Sequence, residues 1–276
     1  MDGWCEMDRL RFYEKKAKEL RLKCLKMVKK AGKGHLGGTF SIIDILTILY
    51  YSKYLTLPVP NRSESDAVII GKGHSNLAFL NIWNDFGLIQ DKILDSYGKD
   101  GGIGGQLDTF SLQIPDNITG SLGHAIGIAS GIALANRLNN NKYAAIAIVG
   151  DGEMEEGSIW ESLDFAAKQE LNNLLCIVDR NKMSVTDFIE DDNLEEKVKA
   201  FGWNVRVTDG HNFLLLKHEM DEFFKSHYKR SELPTMIIAD TIKGKGWKRA
   251  ENNLSWHHGC PTDEEYKEAL EELNNA

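Results

Sequence analysis

Two apolar runs with an amphipathic segment between them constrain the fold of this chain more than any other stretch. The run that ends in "AIAIVGDG" predicts a buried strand over 143–149, and "LLCIVDRN" predicts a second strand over 174–180. The segment 157–170 between them has the apolar spacing of a helix. Two strands with a helix between them lie parallel in one sheet, because a parallel connection needs a crossover of a dozen or more residues.

The same alternation recurs along the rest of the chain. Further strands are predicted in "DAVIIGKG" (66–73), "WNVRVTDG" (203–210) and "TMIIADTIKGKG" (235–246). Further helices are predicted over 8–30, 41–55 and 75–87, in a segment that starts at 121, and in the acidic tail 262–273. Ser41 is predicted to cap the second of these helices, with Asp44 in capping-box spacing. The pattern predicts an α/β fold, a parallel twisted sheet with helices on both faces, as one domain over 1–276.

Composition excludes several classes of protein. The chain has 276 residues and a net charge of −8, which argues against a nucleic-acid-binding protein. The four cysteines form no CxxC pair, so neither a disulfide framework nor a zinc ribbon is expected. The N-terminus is charged and lacks the apolar core of a signal peptide, and "SIIDILTILYY" is too short to span a bilayer. We therefore expect a cytoplasmic protein that binds neither nucleic acid nor membrane.

Polar side chains follow both strands of the first βαβ unit. Asp151 follows the strand 143–149 with only Gly150 between them, and Asn181 comes directly after the strand 174–180. If these strands are neighbours, both side chains lie at the same sheet edge and offer oxygen ligands to Mg²⁺, which fills its remaining positions with phosphate and water. A diphosphate would also favour the helix N-terminus after Gly152. Each residue alone could instead be a helix-capping Asp or a turn Asn.

Several motifs resemble those of one family. The stretch from "GDGEMEEG" to "CIVDRN" looks like the thiamine-diphosphate motif, which runs from GDG to an asparagine about thirty residues later. The segments "GKGHLGGTFSIIDILTILY", "GKGHSNLAFL", "TGSLGHAIGIASGIALA", "TIKGKGW" and "ENNLSWHHGCP" resemble transketolase loops in the same order. The resemblance covers nearly the whole chain but only the N-terminal, pyrophosphate-binding half of a full-length transketolase. It implies a thiamin-diphosphate-binding fold in the first subunit of a split transketolase.

The resemblance also implies roles for individual residues. The metal ligands would be Asp151, Asn181 and the carbonyl of Met183. The residues near the cofactor would be His74, Gly120, Ser121, Leu122, Gly152, Glu153, Asn181, Lys243 and His257. The catalytic residues would be His35, His74, His257 and Gln106, with His35 near the reacting carbon. From the sequence alone, each of these histidines lies in or beside a glycine-bearing turn, and a surface or capping role for any one of them stays open.

The sequence departs from the family pattern at two positions. Gln106, in the glycine-rich loop 98–120, occupies the place of a histidine that contacts the sugar donor, and His124 replaces a glutamine. Gly123, Gly127 and Gly131 recur every four residues and predict a close approach by either the cofactor or another helix. Glu156 matches a glutamate at the contact between paired active sites, or stabilises a helix dipole.

The implied activity is ketol transfer. The chain would use thiamine diphosphate and Mg²⁺ to move a two-carbon unit from a ketose to an aldose, with sugars or sugar phosphates as substrates. The implied partner is a C-terminal transketolase subunit that carries the pyrimidine-binding domain, in an α2β2 assembly. The alternatives are the α subunit of a 2-oxo-acid dehydrogenase, which the "GHLGG" and "GKGHS" loops disfavour, and a non-catalytic subunit.

Overall fold

Five parallel strands form the centre of the protein. The computed structural model describes residues 4–57, 64–109, 112–190, 193–227 and 233–275. The strands are β1 (Ala67–Ile70), β2 (Ala145–Gly150), β3 (Leu174–Arg180), β4 (Asn204–Asp209) and β5 (Thr235–Asp240). They are ordered β1-β2-β3-β5-β4, and every neighbouring pair is parallel. The predicted parallel sheet is confirmed.

Helices cover both faces of this sheet. They are α1 (Glu6–Ala31), α2 (Leu36–Tyr51), α3 (Asn76–Asp85), α4 (Asp91–Leu94), α5 (Ala125–Leu138), α6 (Gly157–Lys168), α7 (Leu194–Ala200), α8 (Phe213–His227) and α9 (Asp263–Asn275). In the part of the chain that the structure describes, no helix is long and apolar enough to cross a membrane.

Alternate strand residues pack into two separate hydrophobic cores, one on each face of the sheet. On β2, Ile146 and Ile148 pack with residues of α1, α2, α3, α8 and α9. Ala145 and Ala147 point to the other face and pack with residues of α5, α6 and α7. Because successive strand side chains alternate between faces, a strand buried on both faces needs a continuous apolar run, which is the pattern that β2 and β3 show.

The second helix starts earlier than the sequence predicts. Its first residue is Leu36, so Ser41 lies inside α2 and does not cap it. The hydroxyl of Ser41 instead donates to the carboxylate of Asp179 at 2.6 Å, and Asp44 pairs with Arg21. The Ser-x-x-Asp spacing was a false capping signal, because both side chains make buried contacts with distant parts of the chain. The tail helix is capped as predicted, since Thr262 and Glu265 each accept from the other's backbone N–H.

The helix predicted from residue 121 begins at Ala125. Gly123 therefore precedes it, in a turn with a φ of 85°. A Cβ on Gly127 would lie 2.9 Å from the hydroxyl of Ser162 in α6, so the close approach at this glycine is to another helix. A Cβ on Gly131 would meet nothing within 4 Å. Residues 110 and 111 of the long loop 98–120 lie outside the described residues.

The β2-α6-β3 unit has the predicted form. Gly150 on β2 is in register with Asp179 on β3, so the segments that follow the two strands leave the sheet side by side. Asp151 and Asn181 are consequently brought to the same edge of the sheet.

Candidate active site

A cleft lies at the carboxyl ends of β1, β2, β3 and β5. It is a cavity of about 130 Å³, called here the strand-end cleft. Gly71 and Lys72 reach it from β1, and Gly38 reaches it from α2. Nine of the residues predicted from the sequence line it: His74, Leu122, Asp151, Gly152, Glu153, Asn181, Met183, Lys243 and His257.

Four other predicted residues lie outside this lining. The ring of His35 lies beside His74 and His257, with ring centroids 5.6 and 5.4 Å away. Gln106 is exposed and lies against Gly73, and its side-chain oxygen accepts from the hydroxyl of Thr119 at 3.2 Å. Gly120 and Ser121 are exposed, and neither is among the described lining residues.

Asp151 and Asn181 are both buried, and each accepts hydrogen bonds from nearby backbone N–H groups. The Asp151 carboxylate accepts from the backbone N–H of Gly152 at 2.9 Å and from that of Lys182. The side-chain oxygen of Asn181 accepts from the N–H of Met183 at 3.2 Å. Burial and the neighbouring Asp179 raise the pKa of Asp151 to about 6. A cation at this carboxylate would oppose both effects.

A buried ion pair that the sequence did not predict includes Lys72 of the cleft lining. The ammonium of Lys72 pairs with the carboxylate of Asp179, and both residues are almost completely buried. Asp179 also accepts from the hydroxyls of Ser41 and Thr241 and, at 3.4 Å, from the side-chain amide of Asn181. Burial alone would raise the pKa of Asp179, but Lys72 and the hydroxyls outweigh it and hold that pKa below its ordinary value. The amide of Asn181 is thereby oriented with its nitrogen toward Asp179.

Lys72→Met should destabilise the fold strongly. The variant leaves the Asp179 carboxylate buried without its cation, and breaking a buried pair in this way costs about 3–5 kcal/mol. Denaturant unfolding at neutral pH measures the loss. Lys26→Met is the matched control, because Lys26 is an exposed lysine on α1, and its loss should stay within about 0.5 kcal/mol. Equal losses in the two variants would contradict a structural role for the ion pair.

Lys243 supplies a second buried cation. Its ammonium donates to the backbone carbonyl of Ser184 at 2.7 Å. Burial and the nearby Lys72 lower the pKa of Lys243 to about 8. Since an anion would reverse this shift, the side of the cleft near Lys243 favours a negatively charged ligand.

Glu153 is buried beside Gly71 with one unsatisfied oxygen. Its Oε1 accepts from the N–H of Gly123 at 3.1 Å, whereas its Oε2 has no hydrogen-bond partner among the residues that the structure describes. Burial raises the pKa of Glu153 to about 7. A side chain at Gly71 would collide with this carboxylate, so the absence of a side chain there leaves room for Glu153 in the cleft wall.

Four histidine rings lie close together at the cleft, and two of them, His74 and His257, line it. Burial and then the nearby charged groups lower the pKa of His257 to about 4, and burial and then His258 and His257 lower that of His35 to about 4. The pKa of His74 is also lowered, by burial and Lys72. The rings of His35, His74 and His257 are therefore neutral near pH 7, and each can both donate and accept a hydrogen bond. The exposed ring of His258, which the sequence analysis did not select, lies 4.6 Å from that of His35.

These groups fit a magnesium-bound diphosphate. Asp151 and Asn181 offer oxygen ligands, Lys243 offers a buried cation, and Gly152 begins the turn that follows β2 and lines the cleft. Within the described part of the chain, the buried Nδ1 atoms of His35 and His257 have no hydrogen-bond partner. Among the described residues, no group of three or more His, Cys, Asp or Glu side chains is arranged to hold a metal ion.

Comparison with known proteins identifies the family. Residues 13–274 match the family described as "Transketolase, thiamine diphosphate binding domain". The chain belongs to the transketolase family. The resemblance drawn from the sequence motifs is thus confirmed, as is the α/β fold, since the transketolase of Campylobacter jejuni superposes with a TM-score of 0.87 at 23% identity.

Two relatives in this family are separate subunits of the same size. The chain is 31% identical over 269 residues to an apulose-4-phosphate transketolase subunit of Phocaeicola vulgatus, covering 95% of this chain and 93% of the relative. It is 34% identical over 263 residues to the 6-deoxy-6-sulfo-D-fructose transketolase subunit SqwG of a Clostridium species, covering 93% and 94%. Against human transketolase it is 29% identical and spans 40% of that protein. The chain therefore corresponds to one subunit of a split transketolase, which is less than half of a full-length transketolase.

Proposed function

We propose that this chain binds thiamine diphosphate and Mg²⁺ and, with a second subunit, transfers a two-carbon ketol unit from a ketose to an aldose. The observation that carries the proposal is the convergence of nine predicted residues on the strand-end cleft. The family match over residues 13–274 favours this activity over that of a 2-oxo-acid dehydrogenase subunit. The assembly would be α2β2 and cytoplasmic.

Each group in the cleft has a distinct task. Asp151, Asn181 and the carbonyl of Met183 would hold the metal, and Lys243 would bind the diphosphate. When bound, thiamine diphosphate supplies the carbanion chemistry that ketol transfer requires. The neutral rings of His35, His74 and His257 would hold substrate hydroxyls by donating and accepting hydrogen bonds.

A binding titration tests the proposal directly. Thiamine diphosphate is added to the purified chain with Mg²⁺ and with EDTA, and calorimetry measures its affinity. We expect binding that depends on Mg²⁺, and we expect thiamine without the diphosphate to bind far more weakly. A non-catalytic subunit with a vestigial site would bind neither compound, and this result would refute the proposal.

The donor specificity is proposed to depend on Gln106. Its amide lies against Gly73, next to His74, and can donate and accept hydrogen bonds but cannot take up a proton. The two relatives named above act, by their names, on a phosphorylated sugar and on a sulfonated sugar. The donor of this chain is proposed only as a ketose or ketose phosphate.

Gln106→His should change the preference between two ketose donors. A lost or misdirected hydrogen bond that the bound donor buries costs about 1–3 kcal/mol, which is roughly tenfold to a hundredfold in rate when it is felt in the transition state. The measurement is the ratio of kcat/KM for two donors with the reconstituted pair of subunits, and cofactor affinity serves as the control that should stay constant. An unchanged ratio would mean that Gln106 does not contact the donor.

A further inference from the structure

A buried chain of polar groups connects α1 to the loop that carries Lys243. The guanidinium of Arg21 in α1 makes two hydrogen bonds of 2.8 Å with the carboxylate of Asp44 in α2. The Asp44 carboxylate contacts Nδ1 of His211 at 2.7 Å. Nε2 of His211 accepts from the backbone N–H of Ile242 at 2.8 Å. Arg21 and Asp44 are less than a tenth exposed, and none of these three side chains lines the strand-end cleft.

The contact with Ile242 fixes the proton on His211. A backbone N–H can only donate, so Nε2 must be the unprotonated nitrogen of the ring. The ring proton is therefore on Nδ1, which donates it to Asp44. In this one tautomer, the ring accepts from the Ile242 N–H and donates to the Asp44 carboxylate. The two hydrogen bonds from Arg21 hold that carboxylate in place.

Ile242 precedes Lys243 directly, so its position sets that of the lysine. The residue on its other side, Thr241, donates its hydroxyl to Asp179, and the N–H of Gly244 donates to the carbonyl of Gly37 at 2.9 Å. These contacts hold the loop on the β3 and α2 sides. The His211 ring holds it on the side of β4, and together they leave the Lys243 ammonium at the cleft.

We propose that His211 is a positioning residue that sets the Lys243 ammonium in place for the cofactor diphosphate, by accepting the hydrogen bond of the Ile242 N–H. The inference rests on the proposed function. His211 is not a catalytic residue, because the ring lies outside the described lining of the cleft.

Two amide substitutions separate positioning from simple packing. The amide of His211→Asn lies at the distance of Nδ1 from the backbone, so it keeps the Asp44 contact and leaves the Ile242 N–H without its acceptor. The amide of His211→Gln lies at the distance of Nε2 and keeps an acceptor for Ile242. We measure the affinities for thiamine diphosphate and for thiamine in the presence of Mg²⁺, because only the first carries the diphosphate.

The expected result is asymmetric. His211→Asn should reduce the preference for thiamine diphosphate over thiamine by about tenfold, which is the loss of affinity expected when one charge-assisted contact is weakened. His211→Gln should keep the preference within about threefold. Equal effects of the two substitutions on the preference, or no effect of either, would overturn the inference, since a packing role does not distinguish the two ends of the ring.

A double-mutant cycle with Lys243→Met completes the test. If His211 acts through the ammonium, His211→Asn should change the preference no further once Lys243 is replaced, whereas independent sites give additive effects. Additive effects would overturn the inference and leave the proposed function standing. A wild-type chain that does not prefer thiamine diphosphate to thiamine would contradict the proposed function itself, and the inference with it.

Discussion

Asp151→Ala is expected to abolish the Mg²⁺-dependent binding of thiamine diphosphate. Asp151 contributes the carboxylate of the Asp151–Asn181 pair, and its side chain is buried at the end of β2. Loss of a residue that merely supports a metal ligand costs about 10–100-fold in metal affinity, so loss of a charged ligand should cost at least about 100-fold. Metal and diphosphate complete each other's coordination, and the affinity for both should fall together.

The measurement is a titration of thiamine diphosphate at limiting Mg²⁺. Glu155→Ala is the matched control, because Glu155 is an exposed carboxylate in the turn that follows Asp151 and should leave the affinity unchanged. Wild-type affinity in Asp151→Ala would refute the metal site. A comparable loss in the control would show that the net charge of the segment matters and that the particular ligand does not.

The parts of the fold that short-range patterns determine were predictable. The strand 174–180 was predicted to the residue, because a strand buried on both faces is one continuous apolar run. The neighbouring positions of Asp151 and Asn181 followed from the parallel βαβ geometry. By contrast α8 was not predicted, although Phe213, Leu216, Met220 and Phe223 repeat at helical spacing and are buried. That signal was present in the sequence.

The parts of the site that depend on distant contacts were not predictable. Lys72 and Asp179 are 107 positions apart, and nothing local indicates that they pair. The start of α2 at Leu36 was not predicted for the same reason. Ser41 has the sequence pattern of a helix cap, but its side chain contacts the distant Asp179. A lysine or aspartate inside an apolar stretch is nevertheless a detectable sign, because buried charges are usually paired.

The partner subunit should dock beside the strand-end cleft. Large apolar side chains are exposed there: Leu122 and Val185 line the cleft and are 53% and 60% exposed, and Phe188, which bridges to Met183, is 57% exposed. Grouped exposed apolar side chains of this kind mark interaction surfaces. The resemblance to transketolase motifs implies that the glutamate that activates the cofactor would lie on the other, C-terminal half of the enzyme. A chain that corresponds to two fifths of human transketolase should therefore be inactive alone.

Ketol transfer should consequently be undetectable with the purified chain and should appear when a C-terminal transketolase subunit from the same source is added. Phe188→Asp should raise the partner concentration needed for half-maximal activity at least about tenfold, because a charge is buried in the interface without a partner. Leu215→Asp is the matched control: Leu215 is 45% exposed on α8 and is not among the described residues that line the cleft, so this variant should behave as wild type. Full turnover by the single chain would refute the need for a partner. Equal losses in both variants would show that docking does not use the face beside the cleft.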